Sequence, residues 1–137
     1  MIDFIAQIIG FAIIAGIAYL LFKNKGTHPE LFTLEEGEEI IKMTKGDYWI
    51  KEFLWQESQN SGEFAFTNKR ILFKGTFLIS ADKEVSIPYS EIESIKKSNV
   101  GLFFPMAFTV KTKDEKSYKF AVMKRHIYMD LINSFLN

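Results

Sequence analysis

Gly62–Gly75, GEFAFTNKRILFKG, decides how the rest of the chain is read. It reads as two short strands around a tight turn. With Asn68 and Lys69 as a two-residue loop, Thr67 stands opposite Arg70, Phe66 opposite Ile71 and Phe64 opposite Phe73. Phe64, Phe66, Ile71 and Phe73 then share one face, where each cross-strand pair is worth roughly 0.2–1 kcal/mol. Ala65, Thr67, Arg70, Leu72 and Lys74 take the other face, which is mostly polar. Asn68 tolerates the positive φ of a primed turn and Lys69 tolerates it less well, so a slightly longer loop is the alternative. The hairpin looks like one half of a small β-barrel.

A chain of 137 residues holds one domain and an appendage. Its formal charge is zero but unevenly spread: residues 30–60 carry eight acidic and three basic side chains, and residues 61–137 carry eight acidic and twelve basic. A balanced total argues against nucleic-acid binding, which calls for a strongly basic domain. The absence of cysteine excludes disulfides, thiol chemistry and cysteine-ligated metal, and leaves the redox compartment undecided.

Phe4–Phe22, FIAQIIGFAIIAGIAYLLF, contains no formal charge. As a helix it is about 28 Å long, close to the hydrocarbon thickness of a bilayer. Lys23 and Lys25 follow it, and positive residues collect on the cytoplasmic side. The expectation is a single-pass anchor in the cell membrane over residues 4–22, with the C-terminal body in the cytoplasm. Ala6/Gly10 and Ala12/Gly16 have the small-xxx-small spacing that lets helices approach closely, and Tyr19 is placed to anchor at the interface.

Residues 23–36 form a linker. Thr27-His28-Pro29-Glu30 has capping-box spacing, which predicts a short helix through Leu31 and Phe32. His28 reads as a linker residue, and the connection, about a dozen residues, reaches at most roughly 40 Å. Beyond it, Tyr48, Ile50, Phe53, Leu54 and Trp55 suit a strand, with Gly46-Asp47 as punctuation before it. Gln56–Ser61 reads as a polar loop, and Val85/Ile87/Tyr89 as a strand ending at Pro88. Capping-box spacing at Ser90 predicts one helical turn before a strand through Ile95.

A second hairpin spans Phe108–Val122. Placing its apolar residues on one face sets Thr112 opposite Tyr118 and Val110 opposite Phe120, around an Asp114-Glu115-Lys116 loop. From Lys124 the period changes: Ile127, Tyr128, Leu131, Ile132, Phe135 and Leu136 recur at helical spacing. They predict an amphipathic helix that covers an open end of the sheet.

Three segments carry a resemblance: GEEII at Gly37–Ile41, FTNKRILF at Phe66–Phe73 and IPYSEI at Ile87–Ile92. With the hairpin and helix that follow, they resemble the pleckstrin-homology (PH) superfold, and more closely its GRAM branch and related bacterial PH-like domains. The resemblance covers about residues 34–137. It implies a mainly β fold, a barrel of about seven antiparallel strands capped by a C-terminal α-helix, with residues 37–137 as the domain. It also implies a binding module for lipid or protein, without shared catalytic residues.

The inventory agrees with a non-enzyme. His28 and His126 are far apart, and there is no phosphate loop, nucleophile elbow, metal-binding histidine pair or cofactor motif. Glu35/Glu36 and Glu38/Glu39 read as a solvated acidic run. Two candidate surfaces remain. Lys69, Arg70, Lys74, Lys96 and Lys97 could hold an anionic lipid headgroup. Leu102, Phe103, Phe104 and Met106, around Pro105, could meet the bilayer, a protein partner or a second copy. A protein-binding module acting in assembly or regulation at the cytoplasmic membrane surface is the leading expectation, because a chain with its own anchor needs no lipid affinity for recruitment. Anionic-lipid binding is the alternative.

Overall fold

The computed structural model describes the backbone of residues 2–23, 26–53, 56–77, 80–101 and 103–137, with all side chains among them except those of 2, 18–23 and 53. Roles assigned above to Tyr19, Lys23, Lys25, Leu54, Trp55 and Leu102 lie outside the described residues.

Helix α1 spans Ile2–Lys23. Strands β1 (Ile40–Phe53), β2 (Gln56–Thr67), β3 (Arg70–Gly75), β4 (Glu84–Pro88), β5 (Ile92–Val100), β6 (Phe104–Thr112) and β7 (Ser117–Val122) precede helix α2 (Arg125–Leu136). The seven strands form one antiparallel sheet in the order β4-β3-β2-β1-β7-β6-β5, curled into a half-barrel. Among the described residues no helix is long and apolar enough to cross a membrane.

The leading hairpin has the expected register, with Phe64 opposite Phe73 and Phe66 opposite Ile71. Its inner face starts an aromatic core: Phe64 lies 4.8 Å from Phe73 and 5.1 Å from Phe120, centroid to centroid. The turn is not a primed one, since neither Asn68 nor Lys69 has positive φ. Instead the Thr67 hydroxyl accepts the N–H groups of Lys69 and Arg70, both at 3.0 Å. The outer face is not left to solvent either: Ala65, Thr67 and Leu72 are buried. Leu31 and Phe32 of the linker line a groove with Arg70 and Leu72 there.

Gly46-Asp47 does not interrupt the chain, and Gln56–Ser61 is no loop. Both lie inside strands long enough to bend around the barrel. The bend falls where Gly46 pairs with Gly62 and Gly62 with Gly75. A Cβ on Gly62 would run into the Lys74 carbonyl, and one on Gly46 would stand 2.8 Å from Phe64 and Val122. Neighbouring strands approach too closely there for any side chain.

The second hairpin closes one residue earlier than expected. Val110 faces Tyr118 and Phe108 faces Phe120. Lys113-Asp114-Glu115 is the loop, closed by Thr112 N–H donating to the Lys116 carbonyl at 2.9 Å. Glu115 takes the left-handed conformation (φ 66°) that ends a three-residue hairpin loop. Because Thr112 and Tyr118 each move by a full side-chain period, both stay on the face assigned to them. Helix α2 buries Tyr128, Met129 and Ile132, with Tyr128 stacked 4.9 Å from Phe66.

Gly62→Ala should lower unfolding free energy by about 2 kcal/mol or more, because the obstacle is backbone and cannot rotate away. Urea denaturation of the variant beside the parent measures it.

Candidate functional site

The three segments that carry the resemblance meet at one place. Glu38, 6% exposed, receives the Arg70 guanidinium as a fork: Nε to Oε2 at 2.9 Å and Nη2 to Oε1 at 2.9 Å. The Thr67 hydroxyl donates to Oε2 at 2.6 Å and Glu35 N–H to Oε1 at 2.9 Å. Asn68 binds the strand entry from both ends of its amide, accepting from Glu39 N–H (2.8 Å) and donating to the Gly37 carbonyl (3.1 Å). The third segment arrives through Tyr89, whose N–H donates to the Lys69 carbonyl and whose hydroxyl donates to the Thr67 carbonyl at 2.7 Å. The hydrogen bond from Arg70 holds the Glu38 carboxyl down at about 2, against the rise that burial alone would cause. Burial pushes the Tyr89 phenol up. Glu38 is therefore no member of a solvated run. No sequence signal separates it from Glu39, because burial here depends on where Arg70 arrives.

This knot occupies most of the first cation cluster. Lys69 Nζ donates to the Glu36 carbonyl at 2.7 Å, and Lys74 Nζ sits 2.7 Å from Glu84. Lys96 and Lys97 lie exposed on edge strand β5, where strand alternation turns them to opposite faces. The five cations thus do not converge on one point. Phe103, Phe104 and Met106 are exposed, the first by 82%.

The linker is part of this surface. His28 donates its N–H to Glu63 Oε1 at 2.6 Å, and its Nδ1 lies 2.8 Å from Oε2. Glu63 is buried, and this clasp lies beside a groove of about 600 Å³ lined by Lys45, Asp47 and Ser61 among others. Pro29–Leu31 forms a single 3-10 turn with no side-chain cap at its start, so the expected capping box is not made. Further along, the Thr33 carbonyl accepts from Arg70 Nη2 at 3.0 Å. Because the linker is docked from His28 onward, the covalent distance from the end of α1 to the domain surface is set by the five steps from Lys23 to His28, at most roughly 18 Å, and not by the whole dozen residues.

Glu38→Gln should cost about 2–4 kcal/mol by stranding a largely buried guanidinium. Glu38 titrates lower folded than unfolded, so its stabilisation is complete above about pH 4.5 and is lost as pH falls toward 2. Unfolding free energy measured between pH 2 and pH 5 should climb by on the order of 3 kcal/mol through this residue, and the Gln variant should lack that rise. His28→Ala should cost about 1–2 kcal/mol by taking the ring nitrogen away from buried Glu63 Oε2, while the backbone N–H to Oε1 remains. Limited proteolysis of that variant should cut between residues 24 and 38 faster than in the parent.

The profile of the bacterial PH domain matches residues 34–133. Among solved structures, the chain is similar to the C-terminal domain of an unknown protein from Leishmania infantum: 22% identity, 90% of this chain and 99% of that one, TM-score 0.58. It is similar to the Vps36 N-terminal PH domain at 17% identity, over 76% and 83% of the two chains, with TM-score 0.56. A Shewanella loihica protein with a pleckstrin-homology domain gives 16% identity, 76% and 84% coverage and TM-score 0.50. At these identities the solved structures speak for the fold alone, and no curated protein matches by sequence. With its half-barrel, its capping helix and a matched profile over most of its length, the chain belongs to the bacterial PH domain family.

Proposed function

We propose that the chain is a membrane-anchored, non-catalytic binding module that presents its PH domain to a protein partner at the cytoplasmic face of the cell membrane. One observation carries the anchoring. Phe4, Ile5, Ile8, Ile9, Phe11, Ile13, Ile14 and Ile17 of α1 are all exposed. At about 100° per residue they surround the helix on every side. A helix apolar all round needs a protein interior or a bilayer. With the Phe4–Phe22 run as long as a hydrocarbon core is thick, the bilayer is the environment that suits it.

A protein partner is favoured over a lipid headgroup at the Thr67–Arg70 turn, because Arg70 and Lys74 already have carboxylates. The open edge of β5, nine residues long, offers backbone groups to which an extended segment can add.

Alkaline carbonate extraction of membranes from cells making the full chain tests the anchor: the chain should stay in the pellet, and release into the supernatant overturns the reading. A photo-crosslinker at Lys96 should then give adducts with one defined protein. Adducts with lipid alone would favour the headgroup alternative.

A further inference from the structure

We propose that the Phe103–Met106 turn and the cations around it form a docking face for the anionic leaflet of the bilayer, which sets the pose of the domain on the membrane. The proposal rests on the anchored reading above. Phe103 and Phe104 are 82% and 63% exposed, and Met123 beside them is 68% exposed. Below the turn lies a groove of about 490 Å³ lined by Lys97, Met106, Met123, Lys124, Arg125 and His126, with no carboxylate among its lining residues. Lys69, Arg70, Lys74, Lys111, Lys116 and Lys119 each reach an acidic partner, whereas Lys42, Lys45, Lys51, Lys83, Lys96 and Lys113 make no ion pair among the described residues. What sets this face apart is that its cations gather around one groove beside exposed apolar side chains. Lys97, Lys124 and Arg125 make no ion pair among the described residues. Arg125 is held at the groove by the Ser98 and Ala107 carbonyls, at 2.8 and 2.9 Å, which fix its position without neutralising it. The first turn of α2 carries no acidic residue to offset these charges.

The register places this face near the anchor. Glu63, where the linker is clasped, pairs with Lys45; Gly46, next to Lys45, pairs with Val122; and Ala121 pairs with Ala107. The clasp, Lys45, Met123 and Met106 therefore follow one another across the same end of β2, β1, β7 and β6. Three interstrand steps separate the first from the last, roughly 14 Å along the sheet. The tether to α1 is itself no longer than roughly 18 Å. A contact held so near its target needs little intrinsic affinity. Apolar tips ringed by cations of one sign match the layering of an anionic bilayer, hydrocarbon beneath negative headgroups. The face orients the domain rather than recruiting it.

Because the chain has no cysteine, single-site labelling is clean. Phe103→Cys carries an environment-sensitive fluorophore in the full chain, reconstituted in bilayers of phosphatidylcholine with or without phosphatidylglycerol and containing a quencher in the acyl region. Lys116→Cys, on the β6–β7 turn, is the reference. The label at 103 should be blue-shifted and quenched in anionic bilayers and much less in neutral ones, while the label at 116 stays in water in both. Adding Lys97→Glu and Lys124→Glu should reverse the shift, each lost cation weakening the contact about fivefold and each carboxylate that replaces it weakening it further by repulsion from the anionic surface.

A label at 103 that stays in water while the chain resists carbonate overturns this proposal and leaves the anchor standing. Release of the chain by carbonate overturns the anchor. A shift that follows protein density and ignores lipid charge also overturns the proposal, by assigning the face to a second copy. Matched thermal unfolding of the double variant and its parent excludes misfolding as the cause.

Discussion

The buried fork between Glu38 and Arg70 is the interaction on which the remainder of the domain depends. A carboxylate out of water persists only if its lone pairs are filled, and here Arg70, Thr67 and the Glu35 N–H fill them. To do so, the chain must bring the start of β1 against the β2–β3 turn, and Tyr89 closes the same turn from the end of β4. Three short segments far apart in sequence are thereby locked at one corner of the half-barrel. A bidentate pair also demands a set angle as well as a distance. That requirement ties the register of the leading hairpin to the path of the linker.

The path of the linker has consequences for what the domain can do. Segment 28–38 is laid along the outer face of β2 and β3, clasped by Glu63 at one end and by Arg70 and Asn68 at the other. It buries a face that would otherwise be wet, and it shortens the tether to α1. Lys69 and Arg70 of the leading turn are drawn into this arrangement, while the cations that line the groove at the start of α2 have no carboxylate among their lining neighbours. An internal ion pair and a free surface charge look alike in sequence. Their division here follows from where the linker docks.

Sheet curvature is controlled by different chemistry. Gly46, Gly62 and Gly75 form one row across three strands, and the close approach they allow lets β1 and β2 turn the corner while still paired. Aromatic side chains then fill the inside, with Tyr48 5.4 Å from Phe120 and Phe64 between the two halves. Helix α2 completes the closure by placing Tyr128 on Phe66 and Phe135 on Tyr89.

By itself the sequence determined what local periodicity controls. The Phe64–Phe73 pairing, the face on which Phe108, Val110 and Phe120 lie, and the apolar stripe of α2 were all legible, because alternation of two and spacing of 3.6 are properties of adjacent residues. The three resembling segments likewise pointed to the family. What only the tertiary structure decided depends on contacts between distant residues. It decided that Glu38 and Glu63 are buried rather than solvated, that Gly46 bends a strand instead of ending one, and that the linker is docked. It also left Phe103 and Phe104 outside rather than in the core. A carboxylate becomes internal only when a donor arrives from elsewhere in the chain, and a glycine becomes a corner only when another strand crosses it. Neither event leaves a mark in the neighbouring residues.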